Sequence, residues 1–199
     1  VYSYPCRYIS RWRHCQVKTY WKIYLDMNTL KLTPEVLTAD NFQLFGEVLS
    51  TENKESISIN DGFASKFPDI VKLDTKEAEG ETSVHIFVAK KRQFPLQITM
   101  LENHPFFSQT FIPKNNTPFI VVVAPPSQEP VIENIKAFIT DGDQGISYSR
   151  GVWHFPLISL KDNAQFVVID RKHNVDKDSM KQCIVSKIED VSIYMELSL

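Results

Sequence analysis

Positive charge is not in excess in this sequence: 22 Lys and Arg stand against 24 Asp and Glu, giving a formal net charge of −2 and a pI of about 6.2. The overall basic balance with which nucleic-acid binders neutralise phosphates is therefore missing, and no nucleic-acid partner is expected. Cysteine is scarce. Cys6, Cys15 and Cys183 are odd in number and far from any CxxC pair, so neither a disulfide framework nor a zinc ribbon is implied, and a reducing compartment, the cytoplasm, fits best. No run approaches the roughly 18 apolar residues that cross a bilayer as a helix, so the chain reads as soluble with no membrane partner. Walker loop, GxGxxG, HExxH and GxSxG are all absent, which removes the minimal parts of the commonest nucleotide, zinc-protease and hydrolase mechanisms.

What is present points to strands. Eleven prolines and thirteen phenylalanines among many Val and Ile residues favour short strands and turns over long helices. Residues 1–26 stand apart, with Arg7, Arg11, Arg13, Lys18 and Lys22 against Asp26 and seven Tyr or Trp residues. Three origins compete for this segment: an extension translated from upstream of a start at Met27, a targeting segment, or an arm that binds something acidic. The first is preferred, and Cys6, His14 and Cys15 make only a weak metal set. Residues 27–199 are read as one domain.

Within it, Leu30–Leu32 reads as a short edge strand, and Thr38 as the N-cap of one helical turn through Phe42 and Phe45 that Gly46 ends. Further strands are expected at 84–88, 96–101, 119–124, 135–140, 146–148, 152–160 and 166–170, separated by turn signals such as Asp141-Gly142-Asp143. The run Phe119 to Ala124 is apolar on both faces, as in a strand covered from two sides. Short strands with a turn about every ten residues mean a sandwich or barrel, so the class is all-β or β-rich with a few short helices.

Two dense patches mix turn formers with titratable groups: Glu102 to Pro113, and Gly142 to Leu157. Both resemble the ureidoglycolate lyase family, as do Asn41 to Leu49, Ile59 to Phe67, Pro118 to Ala124, Ile135 to Ile139 and Phe166 to Arg171. The resemblance covers residues 30–172. It implies a cupin-like double-stranded β-barrel that forms a homodimer and splits ureidoglycolate into glyoxylate and urea. The sequence departs from the family at Ser149 and Phe155, where a histidine is common, and at Lys66 and Val88, where an arginine is common. These departures motivate a rival reading, a cupin-like binding or regulatory protein that has lost turnover.

The implied reaction needs a base for the hydroxyl proton, an acid for the leaving nitrogen and a cation for the carboxylate. Glu102 and His104 are two residues apart, which on a strand places both on one face, where they can share a proton. His154 joins them as the third expected catalytic residue on its motif match. Lys66 and Arg150 are expected to hold the carboxylate, and Tyr148 and Gln109 to donate hydrogen bonds to substrate. Trp153, Phe111 and Phe138 are expected in the core. Asn60, Asp61 and Gly62 read as a turn. His104 and His154, with Glu102 and His85 nearby in the inventory, offer ligands for a divalent metal such as nickel, and a metal-free mechanism is equally open.

Overall fold

The computed structural model describes residues 29–172, 182–189 and 191–197. The N-terminal segment 1–26, its Cys6, His14 and Cys15, and His173 lie outside the described residues.

The centre of the fold is Phe119–Ala124, six consecutive buried residues. Its neighbours in a seven-stranded sheet are Lys136–Ile139 on one side and, on the other, Trp153–His154 and Ile158–Ser159. Beyond these lie Glu35–Val36 at one edge, and Met100–Asn103 and Ile184–Lys187 at the other. Because side chains alternate across a strand, Phe119, Val121 and Val123 point to one face of this sheet and Ile120, Val122 and Ala124 to the other. The first set shares a core with Phe111, Ile146, Tyr148, Phe166 and Val168. Those residues come from a five-stranded sheet ordered Gly46–Leu49, Gly145–Tyr148, Gln109–Pro113, Ala164–Arg171 and Thr82–Ala89. The second set packs with Ile98, Ile193, Met195 and Leu32 from a three-stranded sheet of Thr29–Leu32, Ser192–Met195 and Leu96–Ile98. The two-sided apolar run thus has its reason: the strand is covered on both faces. The two larger sheets close on their common core as the β-rich, cupin-like double-stranded barrel expected.

The short helix is Ala39–Phe42. Thr38 Oγ1 accepts from the Asn41 amide at 3.2 Å while Asn41 Oδ1 accepts from the Thr38 amide at 2.9 Å, a reciprocal cap. Its buried Phe42 meets Phe138 edge-on, with ring centroids 5.6 Å apart. Gly46 does not end this helix. It opens the strand Gly46–Leu49 at φ +149°, and a Cβ there would lie 1.9 Å from the Ser147 carbonyl oxygen, so only glycine fits the close pairing.

Two expected strands are divided. Residues 96–101 break at Thr99, Leu96–Ile98 joining the three-stranded sheet and Met100–Asn103 the seven-stranded one. Residues 152–160 break around Pro156, which has no N–H to give to a ladder. Asn60, Asp61 and Gly62 turn the tip of a hairpin, Ile57–Ile59 paired with Ala64–Lys66, which joins no other sheet among the described residues. No described helix is long and apolar enough to cross a membrane.

Candidate active site

Glu102 and His154 are register partners on adjacent antiparallel strands, which puts their side chains on the same face. Glu102 Oε1 lies 3.7 Å from His154 Nε2. His104 follows directly after the Glu102 strand, and its ring stands 5.1 Å from that of His154. One ligand atom from each of the three residues falls within 4.8 Å of the others. The expected trio is therefore brought together by strand pairing.

Both imidazoles are oriented by backbone. His104 Nδ1 is 3.1 Å from the Gln182 carbonyl and His154 Nδ1 is 3.0 Å from the Val152 carbonyl. A carbonyl only accepts, so each Nδ1 carries the proton, and the Nε2 of a neutral ring keeps its lone pair. Tyr148 stacks on His154 with centroids 4.4 Å apart. The Tyr148 hydroxyl and His154 Nε2 are buried without a hydrogen-bond partner, which in a protein interior marks a place for a bound molecule or ion.

Burial sets the protonation states. His154 is lowered to about 3, by desolvation first and the neighbouring His104 second, outweighing its hydrogen bond to the Val152 carbonyl. The nearby Glu102 carboxylate does not reverse this, so His154 is a neutral imidazole over the physiological range. Glu102 itself is raised above its ordinary 4.5 by desolvation, with a contact from Cys183 opposing. The Cys183 thiol, 3.7 Å from Glu102 Oε2, is pushed up to about 11 by burial and by that carboxylate. The Tyr148 phenol is raised as well, again by burial first and Glu102 second, so it remains protonated.

A cavity of about 440 Å³ opens onto this group, lined by Glu102, His154, Gln109, Phe111, Pro156, Leu157 and the strand residues Ile86 to Ala89. Its polar end is Glu102, His154 and Gln109, and the rest is apolar. The remaining expected site residues lie elsewhere. Arg150 is engaged by Asp74 at 2.9 Å and Glu77 at 2.8 Å beside a separate cavity of about 240 Å³. Lys66 is on the exposed hairpin. His85 faces Asp170, its Nε2 3.0 Å from Oδ1, and is not part of the Glu102 group. Trp153, Phe111 and Phe138 are buried in the cores as expected.

The departures at 149, 155 and 88 read differently in three dimensions. Phe155 is buried in the outer core with Ile98 and Ile193, on the side of the sheet away from the barrel interior. A phenylalanine there therefore removes no group from the cavity. Ser149 lines the smaller cavity, and Val88 lines the larger one at 60% exposure. Sequence reasoning missed Gln182, Cys183 and Asp170. The first two reach the site on the segment before Ile184–Lys187, whose pairing with Met100–Asn103 has no local signal. Asp170 left one mark, a lone acid in an otherwise apolar strand.

One carboxylate and two imidazoles with Nδ1 held by backbone carbonyls form a donor set suited to a divalent ion such as nickel. The unpartnered His154 Nε2 fits that use.

A sequence model of a family described as ureidoglycolate lyase matches residues 29–190. Relatives named ureidoglycolate lyase include one from Pseudomonas paraeruginosa strain PA7, 42% identical over 145 residues, or 73% of this chain and 85% of the relative. Another, from Azotobacter vinelandii, is 42% identical over 140 residues, covering 70% and 84%. A third, from Pseudomonas fluorescens Pf0-1, is 39% identical over 154 residues, covering 76% and 92%. Among solved structures, RmlC from Streptococcus suis in complex with dTDP-D-xylose overlaps 71% of this chain and 73% of its own at 13% identity, with a TM-score of 0.42.

Proposed function

The chain belongs to the ureidoglycolate lyase family, and from that premise we propose that it cleaves ureidoglycolate into glyoxylate and urea, with Glu102 as the proton carrier. The supporting observation is the in-register Glu102 and His154 pair at the polar end of an otherwise apolar cavity.

Ureidoglycolate bears its hydroxyl and its ureido nitrogen on the same carbon, next to the carboxylate. Cleavage removes the hydroxyl proton, forms the C=O bond of glyoxylate, breaks the C–N bond and places a proton on the departing nitrogen. The atoms balance without a co-reactant. The two oxygens of one carboxylate are spaced much as the two geminal heteroatoms are, so Glu102 can take the proton from oxygen and return it to nitrogen. Its raised pKa suits both halves: it is a stronger base than an exposed carboxylate and holds the proton long enough to deliver it. His154, neutral and with its Nε2 lone pair facing inward, accepts from the hydroxyl and aligns it. Tyr148, still protonated, is placed beside His154 to donate to substrate oxygen. Neither expected cation is assigned to the substrate carboxylate: Arg150 is engaged by two acids beside another cavity, and Lys66 stands on the exposed hairpin away from Glu102. Were a divalent ion held by Glu102, His104 and His154, the His154 Nε2 lone pair would go to the ion in place of the hydrogen bond from the hydroxyl, and the ion would supply positive charge for the oxygen that loses its proton.

In this reading residues 27–199 act as one catalytic unit in the cytoplasm and assemble as a homodimer. The dimer is supported by Val84, Ile86 and Val88, exposed at 65, 56 and 60% along Thr82–Ala89, an edge of the five-stranded sheet. A solution molar mass of one chain would overturn it.

The test of function is product stoichiometry against spontaneous decay. Glyoxylate and urea in equal amounts support the lyase, ammonia in place of urea moves the protein to hydrolysis, and tight binding without products moves it to the binding-protein reading. Across about pH 4 to 9, kcat/KM is expected to fall on acidification through a single limb, because Glu102 must be ionised to accept the proton. That limb lies above 4.5, the direction burial gives Glu102. His154, with its pKa at about 3, contributes none near 6.5. A limb centred near 6.5 would move the base to an imidazole.

A further inference from the structure

Gln109 and Asp170 sit on neighbouring strands of the five-stranded sheet, just past the Thr110 and Ile169 register pair. Both are buried, at 8% and 3% exposure. Gln109 Nε2 donates to Asp170 Oδ2 at 3.2 Å, and His85 Nε2 stands 3.0 Å from the other oxygen, Oδ1. A carboxylate only accepts, so the NH2 end of the Gln109 amide must face Asp170, and turning the amide over would set two acceptors against each other in a buried place. His85 stands at ion-pair distance from Asp170 Oδ1 without making a hydrogen bond to it, and Asp170 is so buried that it has little room to turn away. Gln109 also lines the cavity that holds Glu102 and His154. With one of its two N–H groups committed to Asp170 and the sense of the amide so fixed, its Oε1 is left as an acceptor for a bound molecule. This adds an acceptor role to the donor role expected from the sequence.

We propose that Gln109 reads the ureido group: its Oε1 accepts an N–H from the terminal nitrogen of the substrate, and Asp170, backed by His85, is the positioning residue that fixes the amide in that sense. The assignment rests on the lyase reading and adds to it a reason for ureido selectivity. A buried acceptor built for an N–H donor is left unsatisfied by an analogue that lacks one, which gives strong discrimination.

The experiment compares competitive inhibition by urea and by tetramethylurea, which has no N–H, far below denaturing concentrations, in the full chain and in Gln109→Met and Asp170→Asn, with glyoxylate as a third inhibitor. The preference of the unsubstituted chain for urea over tetramethylurea should fall about tenfold in Gln109→Met, which keeps the bulk and removes the acceptor. It should fall by a smaller factor in Asp170→Asn, whose amide tolerates either orientation of Gln109. Inhibition by glyoxylate should hold within about twofold in both. A purely structural role would shift all three inhibitors together and overturn the proposal. So would a urea preference that survives in Gln109→Met, or, if that variant does not fold, one that is undiminished in Asp170→Asn. If the unsubstituted chain forms no glyoxylate and urea, the lyase reading fails first; normal turnover with an unchanged preference removes only the Gln109 assignment.

Discussion

Glu102→Gln is expected to lower kcat for ureidoglycolate by about a thousandfold, the middle of the range for losing a positioned proton-transfer group, while KM changes by less than about threefold. Glutamine keeps the shape and most hydrogen-bonding capacity of glutamate but cannot take up the hydroxyl proton. The fold should not suffer, because the wild-type carboxylate is partly desolvated and its charge is disfavoured where it stands. Thermal melting alongside glyoxylate and urea release checks both halves. Activity within tenfold of wild type would show that the proton is carried by another group. Cys183→Ala provides the control. The thiol touches Glu102 and stays protonated near neutrality, so its removal should alter the pH profile slightly and leave turnover largely intact.

Trp153→Ala is expected to lower stability by about 4 kcal/mol, as for other fully buried aromatic side chains cut to alanine. Trp153 has no exposed surface, fills the outer core between the seven-stranded and three-stranded sheets, and donates its indole N–H to the Ser127 carbonyl at 3.1 Å. Truncation leaves a cavity in that core and an orphaned carbonyl in the loop after Pro126. It also loosens the short strand that carries His154, so activity should fall before global unfolding as temperature rises. Trp153→Phe separates the contributions, retaining most of the volume but losing the indole N–H, and should cost about 1 to 2 kcal/mol. Urea denaturation of both variants gives the numbers. A loss below about 1 kcal/mol in the alanine variant would mean that the outer core repacks freely.

Much of the barrel was legible because its signals are local. The run from Phe119 to Ala124 has no polar side, and a strand with no polar side must be covered twice. Thr38 and Asn41 carry a capping arrangement within four residues. The divisions at Thr99 and Pro156 were harder, since an apolar stretch does not say that its two halves feed different sheets. Gln109–Pro113 was hidden among turn formers, and Ser192–Met195 pairs in parallel with Thr29–Leu32 from the opposite end of the described chain, without any local cue.

By itself the sequence determined the β-rich class, the doubly covered central strand and the trio Glu102, His104 and His154, because periodicity, turn chemistry and family motifs are properties of contiguous residues. Only the tertiary structure decided that Glu102 and His154 are register partners, that Gln182 and Cys183 reach them, that Arg150 is spoken for by Asp74 and Glu77, that Phe155 faces the outer core, and that Gln109 donates to Asp170. Those outcomes depend on strand pairing between distant segments and on desolvation, and both are set by what packs around a residue rather than by what adjoins it in the chain.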